Sequence, residues 1–164
     1  MLNIMPRTLV LICLSCVAGL LAACGEHPQA KAPPAQELSE TSQEFGNYTV
    51  HFNALRTDEL TPDIARSYGI QRSTNRVMLN VTLLHKQDSG PAKAVDGTVV
   101  VGVHNLNGQT KSMEMRRIAE GDAIYYIGEV PISGTEILAF QIDATPVGES
   151  APLSVKLQRE FVSN

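Results

Sequence analysis

The chain has 164 residues, three of them cysteine and none tryptophan, with 13 Lys+Arg against 17 Asp+Glu for a net charge of −4. That length suits one ordinary domain with short appendages. A mildly acidic balance excludes a general electrostatic pull toward nucleic acid or an anionic lipid surface, so no nucleic-acid partner is expected.

Residues 1–23 hold one basic residue, Arg7, and no acidic residue, and they run apolar up to the small pair Ala22 and Ala23. A charged start, a short apolar run and a small-residue cleavage site are the parts of a secretory signal. The apolar stretch from Leu9 to Ala23 is 15 residues, short of the roughly 20 needed to cross a bilayer. Leu21-Ala22-Ala23-Cys24 closes this segment and resembles the bacterial lipoprotein box. The resemblance implies cleavage before Cys24, a diacylglycerol on its sulfur and a further acyl chain on the new amine, an anchor of the stable kind. Gly25 in place of an aspartate implies an outer-membrane lipoprotein facing the periplasm, the inner membrane being second choice. Cys13 and Cys16 would leave with the signal, so the mature chain keeps only the lipidated Cys24 and can form no disulfide within its domain. Loss of Arg7 leaves 12 basic against 17 acidic residues, a mature charge of −5.

Residues 24–43 are mostly Pro, Ala, Gln, Glu and Ser. Such a stretch buries too little apolar surface to offset its ordering entropy, and it is expected to be a flexible tether. From 44 to 164 the dominant period is two. Tyr48, Val50, Phe52 and Ala54 share one face, as do Val77, Leu79, Val81 and Leu83, then Val99, Val101 and Val103, then Leu138, Phe140 and Ile142, then Leu153, Val155 and Leu157. These are strands buried on one side. Thr61 as N-cap, Pro62 at the first helical position and Gly69 as a stop predict a short helix near 62–68, with Ile64, Ala65 and Tyr68 facing inward. For the hairpin around Asn107-Gly108, a two-residue turn would place Glu114 opposite Val101. A three-residue loop, Leu106-Asn107-Gly108, instead pairs Val101 with Met113 and Val99 with Met115, and Gly108 suits the left-handed bulge position of such loops. Glu120 to Ile127 looks like the tyrosine corner of immunoglobulin domains, with Tyr125 as the corner residue and Ile127 where a disulfide cysteine often sits. The expected fold is all-β: an immunoglobulin-like antiparallel β-sandwich of about seven strands with one inserted helix. A small closed barrel is the alternative.

Phe45 to Leu55, Leu60-Thr61-Pro62, Tyr68 to Ser73, Asn75-Arg76 and Glu120 to Tyr126 together resemble domain of unknown function 4426, a family of small bacterial exported proteins and lipoproteins. The resemblance implies the class of protein and no activity, and it carries over no functional residue.

The residues themselves offer little catalytic chemistry. There is no Gly-x-Ser-x-Gly elbow and no His-Glu-x-x-His. Glu120 and Asp122 form a carboxylate pair better suited to capping a turn than to acid–base work. No enzyme activity and no cofactor are expected. A copper or zinc site is the alternative, built from His51, His85 and His104, with His27, Met78, Met113 and Met115 as further soft or imidazole donors; their spacing gives no short ligand pair. Arg56, Arg66, Arg72 and Arg76 cluster around the predicted helix among Asp58, Glu59 and Asp63, either a solvated ion-pair surface or a docking face. Arg66, Arg72 and Arg76 are the candidate partner-binding residues. The functional expectation is a lipid-anchored, non-catalytic binding or adaptor module for another envelope component.

Overall fold

The computed structural model describes residues 41–163. The signal segment, Cys24, His27 and the tether as far as residue 40 lie outside the described residues. Among the described residues ten strands form: β1 (Ser42–Phe45), β2 (Tyr48–Arg56), β3 (Arg76–His85), β4 (Lys93–Ala94), β5 (Gly97–Asn105), β6 (Thr110–Lys111), β7 (Arg116–Glu120), β8 (Ala123–Pro131), β9 (Thr135–Pro146) and β10 (Leu153–Val162). They make two antiparallel sheets, β1-β2-β3-β8-β7 with β4 added to β3, and β10-β9-β5-β6. Without the short β1, β4 and β6, the remaining seven strands stand as β2-β3-β8-β7 against β10-β9-β5. These are the ABED and CFG sheets of the immunoglobulin fold, with β6 as a fragment of an added strand beside C. The expected sandwich forms, and two separate sheets exclude the closed barrel.

Each strand buries alternate residues because the pleat sends successive side chains to opposite faces. Val50, Phe52 and Ala54 of β2 and Leu79, Val81 and Leu83 of β3 meet Leu138, Phe140 and Ile142 of β9 and Val155 and Leu157 of β10 in one core. Those inward faces interdigitate as in other aligned sandwiches.

The folded unit starts earlier than composition suggests. Ser42 and Gln43 already pair with His51 and Val50, but β1 is exposed along most of its length and, before Phe45, carries no hydrophobic signal to distinguish it from a tether. The β5–β6 loop has the three residues expected: the Asn105 N–H donates to the Gln109 carbonyl at 3.0 Å, Val103 stands opposite Lys111, and Gly108 is left-handed with φ +76°. The ladder then stops, and the expected pairs Val101–Met113 and Val99–Met115 do not form. The chain crosses instead to the other sheet, where β7 begins. Met113 and Met115 still pack on the core, but over Gly128 of β8: a Cβ there would lie 2.5 Å from Met115 Sδ and 2.6 Å from Met113 Cγ. A glycine on an inward-facing strand position leaves a hollow that flexible thioethers fill.

Between β2 and β3 lie a 3-10 turn (Thr57–Glu59) and the helix α1 (Pro62–Ser67). Thr61 caps α1 by accepting from the Ile64 N–H at 3.4 Å, and Pro62 is its first residue. Ala65 is buried, as expected, in a second cluster with Ile70, Met78 and Ile127 on the outer face of the β2-β3-β8-β7 sheet. Ile64 does not face inward and is 42% exposed. A helix of six residues presents little more than one residue per turn to a flat sheet, and Ala65 takes that place. Buried Thr57 knits the insertion together, its hydroxyl donating to the Gln71 carbonyl and accepting from the Ser73 N–H, both at 2.9 Å.

One open edge is closed by arginine rather than by a strand. Arg159 lies on the core-facing parity of β10 between Leu157 and Phe161, and its guanidinium donates to Asn53 Oδ1 at 3.1 Å and to the Ala54 carbonyl of β2. Arg56 donates back to the Val162 carbonyl. Inward-pointing charge on an edge strand both satisfies backbone groups and discourages edge-to-edge pairing with another chain.

Gly97 opens β5 at a point with no room for a side chain: a Cβ would sit 2.5 Å from the Thr145 carbonyl oxygen and 2.7 Å from Leu83 Cδ1. Gly97→Ala is expected to destabilise the fold by about 1–3 kcal/mol, the usual cost of forced overpacking. Urea denaturation measures it, and an unchanged midpoint would mean that β5 shifts at no cost.

Candidate functional site

The most connected polar group links β8 to the start of β5. Tyr126 is buried, and its hydroxyl donates to Asp96 Oδ1 at 2.7 Å while accepting from the Gly97 N–H at 2.8 Å; the Gly97 carbonyl lies 3.0 Å away. Arg117 Nε meets the same Asp96 oxygen at 2.9 Å. The expected corner residue, Tyr125, is therefore not the one that reaches across. Register places Tyr126 opposite Val81 on the inner face, whereas Tyr125 points outward, its ring 6.0 Å from that of Tyr68. Ile127 likewise belongs to the outer cluster, not to a disulfide position. The stretch sits on strand E of the immunoglobulin order, while the true corner belongs to strand F. Glu120 and Ala123 pair across the turn at Gly121-Asp122 within one sheet. Sequence similarity to the corner motif thus found a real cross-sheet tyrosine, displaced by one residue.

The titratable groups with the clearest perturbations are engaged inside the fold. Hydrogen bonds from Arg117 and then Tyr126 hold the Asp96 carboxyl down at about 2. Burial, with the Asp96 hydrogen bond, pushes the Tyr126 hydroxyl up. Tyr68 donates to Glu120 Oε2 at 2.7 Å, and that bond pushes its hydroxyl up to about 12. At the opposite end of the sandwich Lys111 Nζ lies 2.8 Å from Glu136 Oε2 and donates to the Pro131 carbonyl at 2.8 Å, and the Ser133 N–H donates to Glu136 Oε1 at 2.8 Å. Burial alone would raise the Glu136 carboxyl, but those donors outweigh it and hold the group below its ordinary value.

The candidate arginines do not share one partner. Arg66 pairs with Asp63 at 3.0 Å on the outer side of α1, where both side chains are solvated. Arg72 donates to the Asp58 carbonyl at 2.7 Å and ties its loop to the 3-10 turn. Arg76 stands on the outer sheet face beside Glu129, and a residue missed from sequence joins it: Arg116 of β7. The guanidinium groups approach Glu129 at 3.8 and 3.7 Å, beyond direct hydrogen-bond distance. Forty residues separate Arg76 from Arg116, and only the β3-β8-β7 order makes them neighbours, so no local pattern could have shown it.

The histidines are dispersed. His51 lies on the outer face of the first sheet and lines a depression of about 250 Å³ with Thr41, Asn53 and Asn80. His104 lines another of about 380 Å³ on the outer face of the second sheet. His85 packs edge-on against Tyr48 at 4.8 Å, with Gln87 Nε2 3.3 Å from its Nδ1. Met78 lies under the insertion while Met113 and Met115 lie on the core side of the same sheet. The structure therefore does not bring His51, His85 and His104 together, and among the described residues no three His, Cys, Asp or Glu side chains gather as metal ligands. Nor is any described helix long and apolar enough to cross a membrane.

Strand order and core together define an immunoglobulin-like β-sandwich module. Within that class the match is specific: the family model for DUF4426, a domain of unknown function, covers residues 42–163, and the chain belongs to that family. A crystal structure of a DUF4426 family protein from Pseudomonas aeruginosa PAO1 is similar at 28% identity, covering 79% of this chain and 99% of that one with a TM-score of 0.64. FetP of uropathogenic E. coli strain F11, recombinantly expressed in the periplasm of E. coli BL21(DE3), shares the fold at 13% identity and a TM-score of 0.51, over 77% of this chain and 95% of its own. No curated protein matches the chain.

Because the carboxyl of Asp96 is depressed in the folded state, its contribution to stability is present above the ordinary aspartate range and is lost as pH falls toward about 2. The urea midpoint of the wild type is expected to fall between pH 4 and pH 2.5 by more than that of Asp96→Asn, which has no carboxylate to protonate. Parallel curves for the two proteins would show that the Asp96 contacts contribute nothing to acid stability.

Proposed function

We propose that this protein is a lipid-anchored envelope module that binds another envelope component without catalysing a reaction. Cys24 carries the anchor, the outer membrane is its site, and the sandwich faces the periplasm. The pattern Leu21-Ala22-Ala23-Cys24 after an apolar leader supports the anchor. The observation that carries the binding role is the pair Arg76 and Arg116. Their side chains are 39% and 43% exposed, and each meets Glu129 only as a loose ion pair, at 3.8 and 3.7 Å, without a direct hydrogen bond. A planar fork left open on a sheet face suits a bidentate contact with a carboxylate of an acidic partner segment. The polar groups with perturbed titration at Asp96, Tyr126 and Tyr68 are by contrast used to hold the fold, which is the structural rather than the catalytic use of such shifts.

Cys24→Ser is expected to move the protein from the membrane fraction to the soluble one and to remove the acyl mass seen by mass spectrometry; membrane retention without acylation would refute the anchor. Site-specific crosslinking in the envelope from position 76 or 116 is expected to trap one partner, and Arg76→Ala with Arg116→Ala to weaken its capture about tenfold or more. Undiminished capture by a double variant of unchanged thermal midpoint would remove these arginines from the interface.

A further inference from the structure

The outer face of the β10-β9-β5 sheet carries a feature independent of the arginine pair and of the lipid anchor. Three strands there frame a depression of about 380 Å³ whose outward-facing lining is His104 of β5, Ala139 and Gln141 of β9, and Lys156 and Gln158 of β10. Register explains the hollow. His104 stands opposite Ala139, and Ala139 opposite Gln158, so the methyl group of Ala139 is a low floor between two long polar walls. Beside it Gly102 faces Gln141, which in turn faces Lys156. Ala139, on the central strand β9 and flanked by longer side chains on both neighbouring strands, makes a local hollow instead of a flat wall.

The chemistry of the trough differs from that of the surrounding surface. Although the whole chain is acidic, no carboxylate lines this depression. Asp143, further along the same face, is engaged by the Ser154 hydroxyl at 2.6 Å and by Gln141 Nε2 at 3.3 Å, and Glu160 lies beyond Gln158 toward the other end. Lys156, His104 and Gln158 are exposed and form neither an ion pair nor a side-chain hydrogen bond with the rest of the described residues. Arg66, Arg72, Lys111 and Arg117, by comparison, each hold a partner within 3.0 Å. An uncommitted ammonium, an imidazole and a carboxamide thus converge on one concavity whose size reaches the lower end of small-molecule sites.

We propose that this trough is a binding site for a small oxyanion-bearing polar molecule. The acid group lies between the Lys156 ammonium and the His104 imidazole, the uncharged part rests on Ala139, and Gln158 hydrogen-bonds its hydroxyl or amide groups. An ammonium on a flexible stem accepts phosphate or carboxylate as a point charge, and both carry the same oxyanion chemistry.

Glycerol 3-phosphate, succinate and glycerol, titrated separately into the isotopically labelled protein expressed from its full chain, test this by amide shifts. Saturable shifts centred on 102–104, 139–141 and 156–158 with glycerol 3-phosphate would support the site with a phosphate ligand. The same pattern with succinate alone would support it with a carboxylate. Lys156→Gln is expected to weaken binding about tenfold, the loss of one charged hydrogen bond, and Ala139→Leu to block it by filling the floor while the charges stay in place. If Ala139→Leu perturbs folding, Lys156→Gln decides alone, since Lys156 is exposed. No saturable shift with either anion, shifts centred elsewhere, equal binding of glycerol, or full affinity in Lys156→Gln would each overturn the proposal. The Arg76 and Arg116 variants keep the trough intact, so partner capture and small-anion binding fail or succeed separately.

Discussion

The hydroxyl of Tyr126 is the constraint on which the sandwich depends. It joins strand β8 of one sheet to the first residue of β5 in the other, accepting the Gly97 N–H and donating to Asp96. Chain entry into β5 is a demanding place in this fold. Gly97 must approach the Thr145 carbonyl closely, and its backbone groups on that side have no neighbouring strand, because β6 reaches only as far as Val103 and His104. A buried backbone group without a partner is costly. The tyrosine hydroxyl at 2.8 Å and Asp96 Oδ1 at 3.0 Å share the Gly97 N–H, and Asp96, held by Arg117, in turn fixes the hydroxyl. With no cysteine among residues 41–163, this polar clamp joins the two sheets without a covalent bond.

The same need recurs at the sheet margins. Where β1 ends, the remaining edge of β2 meets the guanidinium of Arg159 and, through Arg56, the end of β10. At the start of β9, Glu136 gathers the Lys111 ammonium and the Ser133 N–H. Each contact replaces a missing strand or turn bond with a charged side chain, and each consumes a residue that composition alone counts as a surface charge. The clustered arginines around α1 are therefore of two kinds. Arg56, Arg66 and Arg72 are held by partners within the insertion and at the edge, while Arg76, with Arg116, meets Glu129 only loosely.

The two outer faces of the sandwich are treated differently, and that asymmetry bears on function. The outer face of β2-β3-β8-β7 is partly roofed by the insertion, whose Ala65 and Ile70 cover Met78 and Ile127. The outer face of β10-β9-β5 has no such roof among the described residues and is hollowed over Ala139. The two proposed contacts, an acidic protein segment and a small anion, fall on these different faces, and neither requires the core to move.

Much of the fold was legible in the residue pattern. Alternation assigned the inward faces of β2, β3, β5, β9 and β10, and the hairpin geometry chose a three-residue loop with Gly108 left-handed. The cap at Thr61 and the blocks that mark the DUF4426 family could be read as well. These features are local: pleat, turn and cap geometry act over two to four residues, so the sequence by itself determined them. What tertiary structure alone decided was partnership. It made Tyr126 rather than Tyr125 the cross-sheet residue, laid Met113 and Met115 over Gly128 instead of opposite the valines of β5, and turned Ile64 outward. It also set Arg159 against β2, Arg116 beside Arg76, and Lys156 near His104. Those pairs are far apart in the chain, and their meeting depends on strand order and on where a strand leaves its sheet, quantities set by the packing of the whole domain and carried by no single segment.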